Sequence, residues 1–476
     1  MEKYKIIAIE NFLWSPHIET SLEYLINYKS DNKAFCFLNI PNPDNPDLPN
    51  NRFKIFGIKR ILNQIKNILK KHNVAFIEPS TLNDFDDLKI RKFKNIRFSS
   101  FHDISKYYYK NANIGFGVAS SLVDKYKQLE PNLKQIKKTL LNDYINSSVK
   151  VFLYTNRIIS LFNPNTIITF NGRFAHAAAI KISCKQNKVK TIFHERSDYK
   201  ERYFAYSKPP HDMSWWRTEI IKNWNNRKDS ISKKTKIATR WFQKRQRNLF
   251  SDGLNHRQYQ IKNNIPLLDK KKKIISFFSH SDEEYAYCSE LKHPIFSSQR
   301  KAILWLIVFL KNKKDTTFVI RIHPNLRNKH KNDFNWWHKT LVKNKINNII
   351  LIGSYSKVDS YQLVKNSDLV VCFCSASIGI EATYLGVPSI ILGDSQYKSS
   401  NSAYHPQNIN DLKKLLNAKN LSAKPKKNSY PFAYFRETYG HKYKIYKPIN
   451  NYEGTFEGYK FSYYPNFIKF IKNIYK

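Results

Sequence analysis

The fold of the second half of the chain is decided by residues 369–392, whose sequence is LVVCFCSASIGIEATYLGVPSIIL. An apolar strand over 369–373 leads through a serine-containing turn into a helix over 378–385. Gly386 and Pro388 then end the helix before another strand over 389–392. This strand-helix-strand order is the repeating unit of a parallel α/β sheet.

The same alternation extends outward from this segment toward the N-terminus. Strands are predicted over 274–278, 318–322 and 349–352, and helices over 299–310, 334–343 and 361–365. Together with the central segment they give five strands and four intervening helices. The second half is therefore predicted to be a doubly wound α/β domain.

The first half shows a similar alternation. Strands are predicted over 5–9, 34–38, 75–77, 166–170 and 190–194, and helices over 16–26, 58–71, much of 122–161, and 175–187. The basic and aromatic segment 199–260 is predicted to form helices and loops, and the lysine run ending at 273 a hinge. We therefore expect a Rossmann-like domain with helical insertions over 1–267, another over 268–403, and a tail over 404–476 that packs back across the domains.

The composition limits the binding partners and the cellular compartment that can be expected for this protein. With 81 Lys+Arg against 37 Asp+Glu, the net charge of +44 favours nucleic acid, anionic lipid or phosphorylated substrates, although an AT-rich genome also enriches lysine. The five cysteines form no CxxC pair and predict buried, reduced thiols. No signal peptide is recognisable, and the longest apolar run, 302–310, is far shorter than the ~20 residues of a membrane helix. A cytoplasmic protein is expected, and peripheral contact with anionic lipid at the inner membrane remains an open alternative.

One candidate motif is Arg321-Ile-His-Pro-Asn325, at the carboxyl end of a predicted strand. Because side chains alternate along a strand, Arg321 and His323 share one face, and Pro324 ends the strand. Two donor groups at a strand end suit a phosphate or a sugar carboxylate. A polar strand end followed by a turn is the alternative.

Another candidate lies in the central segment itself. Ser375 and Ser377 fall where the strand turns into the helix, and a helix N-terminus offers N–H groups to an anion. Gly379 allows a ligand or a strand to approach closely, and Glu381 can accept hydrogen bonds from ribose or sugar hydroxyls. Neither serine forms a capping box with Glu381, because residues 378 and 380 are both isoleucine.

Polar residues also follow three predicted strands elsewhere. They are Asn171, Gly172 and Arg173 after one strand, Glu195 and Arg196 after the next, and Ser279, Asp282 and Glu283 after the first strand of the second domain. These residues are interpreted as acceptor or cleft residues, with salt-bridged loops as the alternative. No metal site is expected, because Asp282, Glu283 and Glu284 are consecutive and cannot all point at one ion. His17 and Glu19 are candidate general bases after the first strand.

Together these residues resemble the capsule polysaccharide biosynthesis glycosyltransferases. That group includes transferases of 3-deoxy-manno-octulosonate (Kdo) and, more distantly, bacterial sialyl- and polysialyltransferases. The matching stretches within 170–388 are Phe170-Asn-Gly-Arg-Phe-Ala, His194-Glu-Arg, Ser279 to Glu284, Arg321-Ile-His-Pro-Asn-Leu and Ser375 to Pro388. The acidic motif of sialyltransferases ends in Gly, whereas here Glu284 precedes Tyr285.

The resemblance implies a GT-B architecture, with two doubly wound Rossmann-like domains facing across a cleft. It also implies that His323, Ser375 and Ser377 hold the phosphate of a nucleotide sugar, with a CMP-sugar slightly favoured. No other cofactor is expected, because a helix N-terminus with cationic side chains can offset the leaving phosphate's charge without a metal. A growing surface glycan or glycolipid would be the acceptor.

Two features of the reaction and two other functions stay open. If transfer inverts the anomeric centre, Glu19, His17 or Glu195 removes the proton of the acceptor; inversion and retention are not distinguished. One rival is a phosphotransferase that builds glycerol-phosphate polymers. The other is a nucleic-acid-binding protein, favoured by charge but opposed by the absence of a recognisable nucleic-acid module.

Overall fold

The computed structural model describes residues 3–44, 52–82, 96–226, 229–247, 249, 259–281, 287, 294–324, 326, 338–340, 347–374 and 376–461. Contacts divide these residues into two compact units. Unit 1 takes its described residues from Met1–His211, Ala286–Cys288 and Gly440–Lys476, and unit 2 takes them from Asp212–Tyr285 and Ser289–Tyr439.

The described strands are numbered in chain order. They are β1 Ile6–Glu10, β2 Lys33–Phe37, β3 Ala75–Ile77, β4 Tyr108–Tyr109, β5 Ala112–Asn113, β6 Thr166–Phe170, β7 Lys190–Arg196, β8 Arg202–Tyr206, β9 Lys273–Phe278, β10 Thr316–Arg321, β11 Ile349–Ile352, β12 Leu369–Cys372, β13 Ser389–Ile391, β14 His441–Lys442, β15 Tyr446–Pro448 and β16 Gly454–Phe456.

The described α-helices are numbered in the same way. They are α1 His17–Asn27, α2 Arg52–Lys71, α3 Phe101–Ser105, α4 Ile114–Tyr126, α5 Lys138–Phe162, α6 Ala175–Gln186, α7 Met213–Asn226, α8 Ile231–Gln246, α9 Gln299–Leu310, α10 Ser360–Lys365, α11 Ser377–Tyr384, α12 Ile409–Asn417 and α13 Tyr430–Thr438. Several begin at a side-chain cap, as where Ser298 accepts the Lys301 N–H at the start of α9.

Unit 1 is built on a seven-stranded sheet in the order β14-β8-β7-β6-β1-β2-β3. The five strands from β7 to β3 are parallel, and β8 and β14 extend one edge in antiparallel pairing. Alternate residues of β1 enter different cores: Ile7 and Ile9 pack with α4, α5 and α6, whereas Ile6 and Ala8 pack with α1 and α2. Both faces of the sheet are therefore covered, as in a doubly wound fold.

Unit 2 is built on a five-stranded parallel sheet in the order β11-β10-β9-β12-β13. Its core includes Ile275 and Phe277 of β9 and Phe318 and Ile320 of β10, together with residues of α9 and α12. The centres of these strands are largely apolar because a parallel sheet is buried on both faces.

The predicted fold class, α/β with two Rossmann-like units, is confirmed. The bounds of α9, β3, β6 and β11 agree with the prediction, and the other described strands of both parallel sheets differ by at most two residues at either end. The helix predicted over 334–343 falls largely outside the described residues. The prediction missed β8, a short aromatic strand inside the segment expected to be helical or irregular.

The boundaries between the compact units do not lie at the predicted positions, after residues 267 and 403. Unit 2 already begins at Asp212 and continues to Tyr439, because α7 and α8 pack against α13 from the tail. Aromatic contacts hold these helices together; the rings of Trp216 and Phe435, for example, lie 5.4 Å apart. The tail after Tyr439 joins unit 1 through β14.

Two expectations from composition can be compared with the structure. Cys36, Cys184, Cys372 and Cys374 are buried free thiols, as predicted, and Cys288 lies outside the described residues. None of the described helices combines the length and the apolar character needed to cross a bilayer.

Candidate functional site

Both parallel sheets have a topological switch point, where the strand order reverses. It lies between β1 and β6 in unit 1, and between β9 and β12 in unit 2. Ligands of open α/β sheets bind beyond the carboxyl ends of strands at such points. Each predicted motif follows a switch-point strand or its immediate neighbour.

Glu195 lies near the carboxyl end of β7, beside the switch point of unit 1. One carboxylate oxygen accepts a hydrogen bond from Asn171 Nδ2 at 2.6 Å, and the other accepts the Arg196 N–H at 3.1 Å. Burial raises the pKa of the Glu195 carboxyl, although the Asn171 hydrogen bond and the Arg196 charge act in the opposite direction. The side chain keeps 21% of its surface exposed, so a ligand can reach it.

His17 faces Glu195 from the first turn of α1. Its Nδ1 lies 3.7 Å from Glu195 Oε1, and its ring centroid is 4.0 Å from that of Phe170. Burial, followed by the charges of His194 and Arg196, lowers the pKa of His17 well below its ordinary value. The imidazole is therefore neutral at pH 7 and retains a lone pair that can accept a proton.

Glu19 lies two residues after His17 on α1 but is only 1% exposed. Its Oε1 accepts a hydrogen bond from Ser15 Oγ at 2.7 Å, and its Oε2 has no hydrogen-bond partner. Burial raises the pKa of this carboxyl to about 7. Of the three predicted bases, Glu19 is the least accessible to an acceptor, whereas His17 and Glu195 form a pair.

The buried Glu19 should make unfolding depend on pH. Because its pKa in the folded protein lies above the ordinary 4.5, the folded state binds more protons between these values, and stability falls as pH rises toward 7. Between pH 5 and pH 8 the native chain should lose about 2.5 kcal/mol of its free energy of unfolding through Glu19, and Glu19→Gln should not show this loss. Urea unfolding at both pH values measures this change. The exposed Glu201→Gln should show the same loss as the native chain, and equal slopes in all three proteins would contradict the assignment.

Asn171 and Gly172 form the turn after β6. Both have a positive φ, 53° and 74°, and the Asn171 N–H donates to the His194 carbonyl at 3.1 Å. A Cβ added at Gly172 would lie 2.5 Å from the Phe193 ring, so glycine is required there. This turn aims the Asn171 amide at Glu195.

Unlike the Asn171 amide, the Arg173 side chain is not directed at Glu195. Its Nε donates to Ser120 Oγ at 3.0 Å, and its Nη2 lies 4.0 Å from Asp124 Oδ1, so the guanidinium is engaged by α4. With only 5% of the residue exposed, Arg173 ties α4 to the start of α6 instead of being presented at the strand end as predicted.

Arg196 ends β7. Its guanidinium stacks over the Tyr452 ring at 4.8 Å, and its buried Nη1 has no hydrogen-bond partner. On the same strand, His194 Nε2 is 2.7 Å from Glu10 Oε1, and both side chains are almost completely buried. The His194–Glu10 pair links β7 to β1 across β6, which fixes the strand ends that carry Glu195 and the loop before His17.

In unit 2, Ser279 and His323 come together at the ends of β9 and β10. The Ser279 Oγ accepts the His323 N–H at 2.8 Å, and the Ser279 N–H donates to the Arg321 carbonyl at 3.0 Å. Beside them, the His280 ring stacks on Phe373, which follows β12, with centroids 5.9 Å apart. Residues from two predicted motifs thus meet at the end of β9, one of the two strands that flank the switch point of this sheet.

Arg321, predicted to bind a phosphate, has another environment. It is 1% exposed, and its Nη1 and Nη2 donate to the carbonyls of Gly353 and Ser356. The guanidinium therefore holds the loop after β11. The alternation argument placed Arg321 and His323 on one face, but β10 ends at Arg321, so the rule does not extend to His323.

Ser377 and Glu381, on α11, are also engaged within unit 2. Glu381 Oε1 accepts from Arg245 Nε at 2.9 Å, its Oε2 accepts from the Tyr361 hydroxyl, and Arg245 Nη2 donates to Ser377 Oγ at 3.0 Å. Because Glu381 is 2% exposed, it neutralises Arg245 in place of accepting from a ribose or sugar hydroxyl.

Gly379 serves packing between secondary-structure elements. A Cβ there would lie 2.6 Å from Ile391 Cδ1 and 2.8 Å from the Tyr397 hydroxyl. Of the two predicted reasons for this glycine, close approach of a strand is the one that the contacts support.

The remaining predicted residues divide into two groups. Pro324 lies in a short turn after β10 and is partly buried. Asn325, Ser375, Asp282 and Glu283 lie outside the described residues. In the part of the chain that the structure describes, no three His, Cys, Asp or Glu side chains are grouped as metal ligands would be.

Sequence reasoning did not identify Arg245, Tyr361 or Glu10. Arg245 lies 136 positions from Glu381, and neither Tyr361 nor Glu10 belongs to a recognisable motif. A charged residue inside an apolar strand, such as Glu10 after Ile6–Ile9, is nevertheless a usable signal, because a buried carboxylate requires a partner.

No known family model and no curated protein matches this chain. Among solved structures, it is similar to a UDP-GlcNAc 2-epimerase from Methanocaldococcus jannaschii in complex with UDP-GlcNAc and UDP, at 15% identity and a TM-score of 0.28, over 90% of this chain and 97% of that one. A UDP-GlcNAc 2-epimerase from Neisseria meningitidis bound to UDP-GlcNAc matches at 11% identity with a TM-score of 0.26, over 90% of this chain and 98% of that one. The spinosyn rhamnosyltransferase SpnG matches at 8% identity with a TM-score of 0.26, over 91% of this chain and 96% of that one. These TM-scores are too low to support a conclusion, and the α/β assignment rests on the two sheets themselves.

Proposed function

We propose that this protein is a glycosyltransferase that moves a sugar from a nucleotide sugar to a growing surface glycan of the capsular or lipopolysaccharide type. Unit 2 binds the donor, and unit 1 binds the acceptor. The observation that carries the proposal is the His17–Glu195 pair at the switch point of unit 1, where a neutral imidazole faces a carboxylate held by Asn171. Such a pair suits removal of a proton from a hydroxyl group.

In this proposal His17 accepts the proton of the acceptor hydroxyl, and Glu195 stabilises the imidazolium that forms. Asn171 and the Arg196 N–H orient Glu195, as the third member of a nucleophile-activating set does. Glu19, buried against Ser15, contributes to the local electrostatics without touching the acceptor. The activated oxygen then attacks the anomeric carbon as the nucleotide phosphate leaves.

Two features of unit 2 support donor binding there. Ser279 holds the backbone N–H of His323 at the ends of β9 and β10, which fixes the loop that carries this residue. Helix α11 begins five residues after the end of β12, and its N-cap residue, Ala376, provides no side-chain cap. An uncapped helix N-terminus favours an anion such as the donor phosphate. A CMP-sugar is the donor that we propose to test first.

A panel of CMP-, UDP- and GDP-sugars should identify the donor by thermal stabilisation. At 100 times its Kd, the correct donor should add about 2.7 kcal/mol to the free energy of unfolding. His323→Ala should abolish both this stabilisation and transfer, while the retained backbone N–H preserves the Ser279 contact and the fold. The matched control is His102→Ala, an exposed histidine of unit 1. Unchanged binding and transfer in His323→Ala would refute the assigned role.

Product analysis addresses the acceptor. A glycosidic linkage in the product supports the proposal, whereas a phosphodiester would identify a polymer phosphotransferase. Tight, salt-dependent nucleic-acid binding without turnover of any nucleotide sugar would replace the proposal altogether. Peripheral membrane contact is proposed from the net charge alone and is measured by sedimentation with anionic vesicles.

A further inference from the structure

Unit 1 contains a small cavity, partly open to solvent, between the end of β7, the turn that leads to β8, and the chain segment around β15. Its cationic lining residues are Arg196, Lys200 and Arg202, and its aromatic ones are Tyr199, Tyr443 and Tyr446. Pro16, Ser197, Asn450 and Asn451 complete the described lining, which therefore includes no acidic side chain. Three cations without a carboxylate among them favour an anionic occupant.

Two of the cationic residues, Arg196 and Lys200, keep hydrogen-bonding capacity for a ligand. The buried Nη1 of Arg196 has no hydrogen-bond partner, and the same guanidinium is held in place by its stacking on Tyr452. Lys200 Nζ donates only weakly, at 3.3 Å, to the Ile449 carbonyl, which carries no formal charge. A buried donor of a cation that lacks an acceptor costs free energy, which an incoming oxyanion would recover.

The cavity adjoins the proposed catalytic pair. Pro16 immediately precedes His17, and Arg196 immediately follows Glu195. The charge of Arg196 also lowers the pKa of both His17 and Glu195, so its guanidinium acts electrostatically on both groups. A molecule that fills the cavity therefore lies beside the residues that activate the acceptor.

We propose that this cavity binds an oxyanion of the acceptor, either a phosphate or a sugar carboxylate. The inference rests on the proposed function, which makes unit 1 the acceptor-binding unit. Arginine and lysine side chains supply charge-assisted hydrogen bonds to either anion. The acceptor thereby becomes an acidic molecule whose anionic group is anchored next to the hydroxyl that reacts.

The test measures anion binding without any nucleotide sugar, in the His323→Ala background, so that the proposed donor site does not contribute. Inorganic phosphate, glucuronate and glucose are titrated against the full chain at constant ionic strength, and Kd is obtained from thermal stabilisation. Phosphate or glucuronate should stabilise saturably and glucose should not. Tighter phosphate binding identifies a phosphorylated acceptor, and tighter glucuronate binding identifies an acidic sugar.

Variants of Lys200 locate the site. Lys200→Gln should weaken binding of the preferred anion about tenfold, and Lys200→Glu about a hundredfold, because the charge is first removed and then reversed. The matched control is Lys447→Glu, an exposed lysine of β15 outside the cavity lining, which should leave the affinity unchanged.

Two results would overturn the inference: equal anion affinity in Lys200→Glu and the parent, or stabilisation by glucose equal to that by the anions. Neither depends on turnover of a nucleotide sugar. A failed donor panel combined with Lys200-dependent anion binding would therefore remove the proposed function and leave the cavity as an anion site.

Discussion

Glu195→Gln is expected to lower the rate of sugar transfer about a thousandfold while leaving donor binding intact. The amide is nearly isosteric with the carboxylate, and the hydrogen bond from Asn171 can still be accepted by its oxygen. What is lost is the negative charge 3.7 Å from His17 that stabilises the imidazolium. The measurement is kcat for transfer, together with thermal stabilisation by the donor.

The control for this loss is Glu201→Gln, which changes an exposed glutamate six residues further along, in the turn that leads to β8. It should transfer at the native rate. His17→Ala should show a loss similar to that of Glu195→Gln, and the double variant should lose little more, because residues that act as one unit are not additive. Multiplicative losses, or a Glu195→Gln rate within tenfold of native, would contradict the pairing.

The pH profile gives an independent readout of the same pair. Burial raises the pKa of Glu195, so transfer should decline as pH falls through that raised pKa and the carboxylate becomes protonated. Glu195→Gln should lack this decline. A variant that is merely less stable would keep the shape of the native profile.

Glu23→Ala is expected to destabilise unit 1 by about 4 kcal/mol. Glu23, on α1, is fully buried, and its carboxylate accepts the N–H groups of Lys444, Ile445 and Tyr446 at 2.7 to 3.3 Å. Asn27 Nδ2 donates to the same carboxylate at 3.0 Å. Truncation leaves three neighbouring backbone donors without their acceptor and releases the tail from α1.

Hydrogen exchange distinguishes this mechanism from a general loss of packing. In Glu23→Ala the amides of residues 444–446 should exchange much faster than in the native chain, while those of β1 and β6 keep most of their protection. Urea unfolding gives the change in free energy. The exposed Glu201→Ala is the control for loss of a glutamate. Unchanged protection at 444–446 would show that the carboxylate does not hold the tail.

By itself, the sequence determined the parallel strands of both α/β sheets. Runs such as 318–320 and 369–373 are apolar because central parallel strands are buried on both faces, and helices such as α9 carry local caps. These signals act over a few residues, so they can be read without the tertiary structure. The sequence also predicted that polar residues which follow the strands lie at one edge of each sheet, because parallel strands share the edge at which they end.

Only the tertiary structure decided what each polar residue does. Arg321 is turned to carbonyls 32 and 35 positions away, Glu381 meets Arg245 on a helix far back in the chain, and Glu23 binds backbone more than 400 residues later. A buried charge must find a partner, and the chain distance to that partner carries no local signal. The sequence thus located the ends of the sheets where chemistry is expected, whereas packing determined which side chains remain available for it.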